Sequence, residues 1–228
     1  MLVNGARVQP DASGALFWPG ERTIVVSDLH FEKGSAHAAR GHGLVPPYDT
    51  AATLQRLELV IARYHPQRLI ALGDSFHDQG AFERLSDAEV ERLRRLVAKQ
   101  ETIWIAGNHD PAPPQELGGT IMSEIAIGPL HFRHEPQPGA AAGEVAGHLH
   151  PKARVSRHGR TVSARAFASD GIRLIMPAFG AFAGGLDVTD MAFRPLFRRQ
   201  FHAWMAVNDR VYAVPSNRLL RREDVPAG

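Results

Sequence analysis

Three short apolar runs that each end in polar residues constrain the fold most strongly. Residues 23–27, 68–72 and 102–106 are rich in aliphatic and β-branched side chains, a composition typical of buried strands. The segments that follow them are Asp28-Leu29-His30, Gly73-Asp74 and Gly107-Asn108-His109-Asp110. Because ligands of open α/β sheets bind outside the carboxyl ends of the strands, we expect these polar segments to meet at one sheet edge.

Two later segments add further imidazole groups, His134 and Gly147-His148-Leu149-His150. Asp28 and His30 are two residues apart and would point the same way on an extended chain, so both could reach one ion. Carboxylate, amide and imidazole donors without thiolate suit Mn, Fe, Zn or Co better than Ca or Mg. Two ions about 3.5–4 Å apart could share one carboxylate and clamp the oxygens of a displacement at phosphorus. Asp74 is the natural bridging residue.

This ordered pattern resembles that of the calcineurin-like binuclear metallophosphoesterases, and the resemblance covers roughly residues 24–151. It implies an α/β fold, a four-layer α-β-β-α sandwich of two mixed sheets flanked by helices. By position, the ligands of one metal would be Asp28, His30, Asp74 and His150, and those of the other Asp74, Asn108, His134 and His148. His109 would protonate the leaving oxygen or stabilise the transition state without binding a metal.

The chain departs from the family pattern at two places. The second Asp of the family, which orients the catalytic histidine, comes three residues after the bridging Asp, but that position is His77 here. We assign the orienting role to the neighbouring Asp78. The lone histidine is commonly preceded by Gly, whereas Arg133 precedes His134. His131 is a competing candidate for this ligand, although it lies inside an apolar run rather than at its end.

A narrower resemblance is to the ligase-associated metallophosphoesterases of bacterial DNA repair, and it rests on residues 27–34, 73–78 and 147–151 and on the compact length. It implies manganese-dependent endonucleolytic cleavage of single-stranded DNA by a hydroxide that bridges two metals, in functional association with a DNA ligase, a helicase and an exonuclease. Two alternatives stay open: a small-molecule phosphoesterase or nucleotide pyrophosphatase of the same family, and a non-enzymatic binding scaffold. The presence of every expected ligand type disfavours the scaffold.

Several residues outside the ligand set are candidates for substrate binding. Lys33, His77 and Asn108 could contact a substrate phosphate, although a solvated lysine and a loop histidine are the ordinary alternatives. Phe31 and Phe76 could stack on bases, and core packing is the alternative that we favour for both. Arginines group around residues 154–165, 194–199 and 218–222, and either a polyanion-binding surface or solvated strand edges would explain them. The net charge of +2 argues against indiscriminate binding of nucleic acid.

The composition predicts one ordinary globular domain over residues 1–228. The sequence is 44% hydrophobic and 22% charged, which suits a domain with a full-sized core. It contains no cysteine, so disulfides and thiolate metal sites are excluded. No apolar run approaches the roughly 18 residues that span a bilayer, and the N-terminus lacks the apolar core of a signal peptide. We therefore expect a cytoplasmic protein without a membrane partner, and an oligomer is possible.

Local patterns predict the remaining elements. Strand-like pieces at residues 6–8 and 15–18 would extend a sheet edge, and residues 34–47 would form a loop at the mouth of the site. Asp49 or Thr50 would cap a helix that ends at about Arg63. Ser86 and Glu89 form the sequence signature of a capping box. A strand-rich region begins at about residue 120, and the segment 177–186 would line the cleft or an oligomer contact, or form a tightly packed loop.

Overall fold

Two mixed β-sheets organise the part of the chain that the computed structural model describes, residues 1–39, 48–139, 141–197 and 200–221. A short antiparallel ribbon of β1 (Leu2–Val3) and β2 (Ala6–Arg7) precedes them. The prediction that residues 6–8 extend a sheet edge is therefore wrong, because this piece pairs with the chain start instead.

The first sheet contains six strands in their chain order: β3 (Gln9–Pro10), β4 (Leu16–Trp18), β5 (Thr23–Val26), β6 (Arg68–Leu72), β7 (Glu101–Ile105) and β8 (Thr120–Met122). The last four are parallel, and β3 and β4 extend the edge in antiparallel pairing. Parallel neighbours need crossover connections. Helices α1 (Lys33–Ala39) and α2 (Asp49–Tyr64) lie between β5 and β6, and α3 (Ala81–Arg84) and α4 (Asp87–Val97) lie between β6 and β7.

The second sheet uses the strand-rich region that the sequence predicts. Its strands are β9 (Glu124–Ile127), β10 (Leu130–Arg133), β11 (Glu144–Ala146), β12 (Lys152–Arg157), β13 (Arg160–Ser169), β14 (Leu174–Ile175), β15 (His202–Val207) and β16 (Arg210–Pro215). The spatial order is β16-β15-β13-β14-β11-β10-β9, and β12 pairs with β13. The pairs β10–β11 and β11–β14 are parallel, so this sheet is mixed as well.

The core lies in layers on both sides of the first sheet. Val25, Ile70 and Ile103 are buried with Phe132 and Phe167 of the second sheet, and they form the contact between the sheets. The opposite face of the first sheet packs on α2 and α4. The expected sandwich of two mixed sheets with helices is confirmed. Over the described residues, the outer face of the second sheet is covered by the irregular segment that contains Val188, Phe193 and Leu196.

The structure corrects two local predictions around the first helices. Residues 33–39 form α1 rather than a loop, and the rest of the predicted loop, with His42, lies outside the described residues. Asp49 does not cap α2, because it is the first residue of that helix. The carboxylate of Asp49 instead accepts the backbone N–H of Gly34 at 2.7 Å. The hydroxyl of Thr50 likewise accepts the backbone N–H of Glu32 at 2.9 Å. Both side chains thus hold the segment that follows β5.

Helix α4 begins as predicted. Ser86 is the N-cap, and its side chain and that of Glu89 form the reciprocal bonds of a capping box. Among the helices within the described ranges, none combines the length and the apolar character that crossing a bilayer requires.

Candidate metal centre

The three polar segments that follow β5, β6 and β7 are joined by hydrogen bonds. The backbone N–H of Asp28 donates to the carbonyl of Gly73 at 3.2 Å, and that of His30 donates to the carbonyl of Asp74 at 2.9 Å. The backbone N–H of His109 donates to Asp74 Oδ1 at 2.9 Å. The sheet edge therefore assembles these segments as the sequence predicts.

Asp28, His30 and His150 form a first cluster, whose possible ligand atoms all lie within 4.8 Å of one another. Asp28 is fully buried, and its Oδ2 accepts bonds from the hydroxyl of Ser27 and from the backbone N–H of His148. Its Oδ1 lies 3.0 Å from His150 Nε2, but neither atom has a hydrogen-bond partner among the described residues. Buried polar atoms without partners are costly, so this arrangement fits a cation between them.

Asp74, His134 and His148 form a second cluster, again with possible ligand atoms within 4.8 Å of one another. His134 Nδ1 lies 2.8 Å from the carbonyl oxygen of Leu72. Because a carbonyl oxygen only accepts, Nδ1 carries the proton. His134 Nε2 is then aimed at Asp74 Oδ2, 3.4 Å away, and at His148 Nδ1, 3.2 Å away. Such a backbone contact behind the ring is the usual support of a metal-binding histidine.

Six of the seven predicted ligands lie in these two clusters, and their oxygen and nitrogen donors fit a pair of divalent transition ions. The seventh, Asn108, is exposed and lines a small cleft together with His134. Asp74 belongs to the second cluster, and its charge also acts on His30 of the first. A carboxylate that bridges two metals has to lie between the two ligand clusters, as Asp74 does. The binding of metal by each of these residues remains a prediction.

The two clusters hold protons differently. Burial lowers the pKa of His30 to about 3, against the opposing charges of Asp28 and Asp74. Burial alone would also lower the pKa of His134, but its bond to Asp74 and the charges of Asp28 and Asp74 outweigh burial and raise this pKa to about 9. Burial favours the neutral form of Asp28 and Asp74, but the histidines around each carboxyl group hold its pKa below the usual value.

Left-handed backbone conformations concentrate at the candidate ligands. The φ angles are 53° at Asp28, 46° at His30, 46° at Asp74, 66° at His148 and 47° at His150. Residues other than glycine rarely adopt positive φ, and such strain persists where the surrounding structure enforces it, often at functional sites. The strained residues at this edge are therefore a second, independent mark of a functional site.

Two glycines of the motifs permit the close contacts of the centre. Gly73 has a φ of +72°, and a Cβ at this position would lie 2.5 Å from the ring of His134. A Cβ on Gly147 would lie 2.6 Å from Asp28 Oδ2. Both glycines are thus required by the packing of ligand side chains against the backbone.

His109 lies beside the second cluster and is accessible. Its side chain is 48% exposed, and its Nε2 is 4.0 Å from Asp74 Oδ2. Its Nδ1 is 2.8 Å from the carbonyl oxygen of His77, so Nδ1 donates and Nε2 faces the cluster. The two rings are stacked, with centroids 5.3 Å apart. The carboxylate of Asp78 pairs with Arg84 at 2.8 Å. The orienting role of Asp78 remains a prediction, and the His77 carbonyl is a contact that side-chain patterns could not reveal.

Asp110 is a residue whose role the sequence reasoning missed. It is buried, and its Oδ2 accepts the backbone N–H groups of Ser75 at 2.9 Å and Phe76 at 3.1 Å. Burial raises its pKa to about 7. Asp110 therefore fixes the turn that follows Asp74, and its place at the end of the third motif is the signal that pointed to it.

The remaining candidates separate into core, edge and surface positions. Phe31 and Phe76 are buried in the core, so the stacking alternative is wrong for both. His131 lies 3.5 Å from Glu124, away from the ligand clusters, and the geometry favours His134. The segment 177–186 packs on the first motif through bonds from the backbone of Phe179 to Ser27 and of Gly180 to Asp28. Lys33 begins α1 and is partly buried.

Comparison with known proteins identifies the family of the chain. The family model of the calcineurin-like phosphoesterases matches residues 21–175, and the chain belongs to that family. The crystal structure of a nuclease, MPE, from Pseudomonas putida is similar over 94% of this chain and 98% of that chain, with 29% identity and a TM-score of 0.74. Yfce, a phosphoesterase from E. coli, aligns over 84% of this chain and 97% of its own, with 18% identity and a TM-score of 0.44. No curated protein matches the sequence.

Proposed function

We propose that the protein is a manganese-dependent phosphodiesterase that cuts single-stranded DNA in bacterial DNA repair. The observation that carries this proposal is the pair of His/Asp clusters at one sheet edge with the accessible His109 beside them. The similarity to the Pseudomonas putida nuclease supports a polynucleotide substrate. The proposal includes a cytoplasmic location and a functional association with a DNA ligase, a helicase and an exonuclease.

The ligand roles follow the two clusters. Asp28, His30 and His150 would hold one ion, Asn108, His134 and His148 would hold the other, and Asp74 would bind both. Manganese is our choice, and the same donors accept iron, zinc or cobalt. Bound at these residues, two divalent ions would activate a water molecule for attack and neutralise charge on the phosphoryl oxygens.

His109 would act on the leaving oxygen. Because its Nδ1 donates to the His77 carbonyl, only Nε2 can deliver a proton, and it can do so only while the ring is doubly protonated. Nε2 lies 4.0 Å from Asp74 Oδ2 and thus faces the second cluster. Asp78 would help to orient the ring, and general acid catalysis of this kind contributes about 10²–10⁴-fold.

Three residues would contact the substrate. Lys33 would meet a phosphate oxygen, and Asn108 would contact the scissile phosphate while it also binds the second ion. His77 stacks against His109 on one side and lies edge-on to His30, with ring centroids 5.6 Å apart. It would therefore shape the space around the leaving group.

The decisive experiment is a cleavage assay with several substrates and metals. Labelled single-stranded DNA, double-stranded DNA, RNA, a small diester and a phosphomonoester are incubated with metal-depleted protein and with Mn, Fe, Zn, Co, Mg or Ca. We expect internal cuts in single-stranded DNA, and the highest rate with Mn. Metal-dependent activity confined to phosphomonoesters or to small nucleotides would reject the nuclease and favour a small-molecule phosphoesterase.

A further inference from the structure

Two cations face each other across the hairpin of β12 and β13, directly beyond the first cluster. Lys152 follows His150 and Pro151, and its Cα partner on β13 is Arg165. Directly opposed residues of an antiparallel pair place their side chains on the same face, and like charges there destabilise the pair. No ion pair is formed by either side chain within the described part of the chain.

Neighbouring structure holds Arg165 in place without neutralising it. Its Nη1 donates to the carbonyl oxygens of Ser13 at 3.2 Å and Ala178 at 3.3 Å. The other guanidinium nitrogens form no hydrogen bond to the described residues. Burial, together with the charge of Arg56, lowers the pKa of Arg165 to about 10. The guanidinium is therefore a fixed and poorly hydrated cation, the type of group that binds phosphate well.

A small cleft opens between these cations and the first cluster, and we name it the basic cleft. It has a volume of about 270 Å³, and its lining includes His150, Lys152, Ser163, Arg165 and Ala181. Among the described residues, its lining contains no carboxylate. Lys33 is a further cation nearby: burial and, less strongly, the charge of Lys152 lower its pKa against the opposing charge of Asp49.

A second cleft on the other side of the centre has a different character. It has a volume of about 250 Å³, and Asn108 and His134 line it together with Glu124, Glu135 and Arg133. Arg133 is paired with Glu124 there. The carboxylates would repel a phosphate, whereas the basic cleft would attract one. Because of this difference in charge, a polynucleotide bound at the centre would extend through the basic cleft rather than through the second cleft.

We infer that the basic cleft binds a phosphate of the polynucleotide that flanks the scissile phosphate, through Lys152 and Arg165. This inference rests on the proposed function, since it names how the same centre would select a chain of nucleotides over a small diester. The bound phosphate would also relieve the repulsion between the two opposed cations. A small diester has a single phosphate, so it could not use the cleft and the metal centre together.

The test compares Lys152→Gln with the wild type on two substrates. Arg157 and Arg160 are also directly opposed, at the exposed far end of the same hairpin, so Arg157→Gln is the matched control. Loss of one phosphate contact should lower kcat/KM on a (dT)12 oligonucleotide by about 5- to 10-fold. The loss on bis(p-nitrophenyl) phosphate should be several-fold smaller. Arg157→Gln should match the wild type on both substrates.

A binding measurement gives a second readout that does not require cleavage. Fluorescence anisotropy of labelled (dT)12 with the metal-depleted protein is recorded over a range of salt concentrations. Lys152→Gln should reduce the slope of log K against log salt by about 0.7, the value for one contact to single-stranded nucleic acid. Arg165→Lys keeps the charge, and it should retain the slope while it weakens binding, because lysine cannot reproduce the geometry of the guanidinium.

The outcomes separate this inference from the proposed function. If the wild type cuts the oligonucleotide and Lys152→Gln cuts and binds it equally well, the basic cleft binds no phosphate and only the inference fails. Equal losses on both substrates would assign Lys152 to the integrity of the centre and also reject the inference. Dependence on Lys152 that is confined to 5′-phosphorylated oligonucleotides would assign the cleft to a terminal phosphate instead. A wild type that neither binds nor cuts oligonucleotides would reject the nuclease proposal itself.

Discussion

The two halves of the centre use the same residue types, but the most buried histidine of one half, His30, differs in protonation from that of the other half, His134. In the first cluster, burial lowers the pKa of His30 to about 3, so the ring is neutral at neutral pH. In the second, Asp74 and Asp28 raise the pKa of His134 to about 9, so this ring is protonated without a metal. Since metal binding requires a neutral imidazole, His30 is ready to bind an ion, whereas His134 must first release a proton.

The difference shows that donor identity alone does not define a metal-binding half-site. His134 is held by the Leu72 carbonyl and faces Asp74, so a proton can occupy the position between ring and carboxylate. In the first cluster, Asp28 Oδ1 and His150 Nε2 are buried and lack hydrogen-bond partners among the described residues. The surrounding contacts, rather than the ligands themselves, produce the contrast.

The largest effect is expected from substitution of Asp74, the ligand that both metals would share, in comparison with Asp28, which would bind one metal only. Asp74→Asn should reduce activity on the order of a thousandfold and lower the content of both metals, because this carboxylate would bind both ions. Asp28→Asn should lower metal content by one ion. Metal analysis and hydrolysis of a small diester are the measurements. His202→Ala on β15, an exposed histidine, is the control. If Asp74→Asn loses one ion only, Asp74 is not the bridge.

Substitution of His109 tests a residue beside the clusters rather than in them. His109→Ala should retain both metals and lower kcat by about 10²–10⁴-fold, the contribution of a general acid. Asp78→Asn should cost less, because the His77 carbonyl also holds the ring of His109. Metal analysis and steady-state kinetics are the measurements. Loss of the metals in His109→Ala would contradict the separation of roles, and equal losses in both variants would make Asp78 the principal orienting group.

The first sheet and its motifs were predictable because their signals are local. The apolar runs that became β5, β6 and β7 end directly in polar segments, and the capping box of α4 is contained in four residues. Six candidate ligands follow from the resemblance of the ordered motifs to the family pattern, and the structure groups them into two clusters.

The features that were missed depend on contacts between distant segments. Helix α1 contains Gly34 and has only a weak helical signal in its sequence, and the carboxylate of Asp49 accepts the backbone N–H of that glycine. Strand β12 has little apolar periodicity and is formed by its pairing with β13. His109 contacts the backbone carbonyl of residue 77, and this contact does not depend on the type of side chain at that position. Sequence patterns contain no direct signal for such contacts.

A smaller effect should follow from filling the space next to Asp28. Gly147→Ala would place a Cβ 1.8 Å from the Ser27 hydroxyl and 2.6 Å from Asp28 Oδ2, which accepts a bond from that hydroxyl, so both side chains must shift. We expect a loss of about 10- to 100-fold in metal affinity at the first cluster, similar to the effect of disturbing the support of a metal ligand. Gly20→Ala is the matched control, because its nearest new contact is an ordinary 3.6 Å. Metal titration measures both variants, and equal affinities would show that the backbone adjusts without moving Asp28.

The smallest expected effect is a pair of opposite pH trends in the metal-depleted protein. The folded pKa of His134, about 9, lies above its ordinary value of 6.5. Its stabilising contribution is therefore present below pH 6.5 and is lost as pH rises through 9. The folded pKa of His30, about 3, lies below 6.5. The unfolded state therefore gains protons first, and the contribution of neutral His30 is lost as pH falls below 6.5.

Thermal unfolding of chelator-treated wild type, His134→Gln and His30→Gln between pH 5 and pH 9.5 measures these trends. The Tm difference between wild type and His134→Gln should shrink toward high pH, whereas that between wild type and His30→Gln should shrink toward low pH. Saturating metal should remove the His134 trend, because the ion replaces the proton on that ring. Parallel pH profiles for the two variants would mean that the clusters hold their protons alike, and the contrast between the two halves would then lie in their geometry alone.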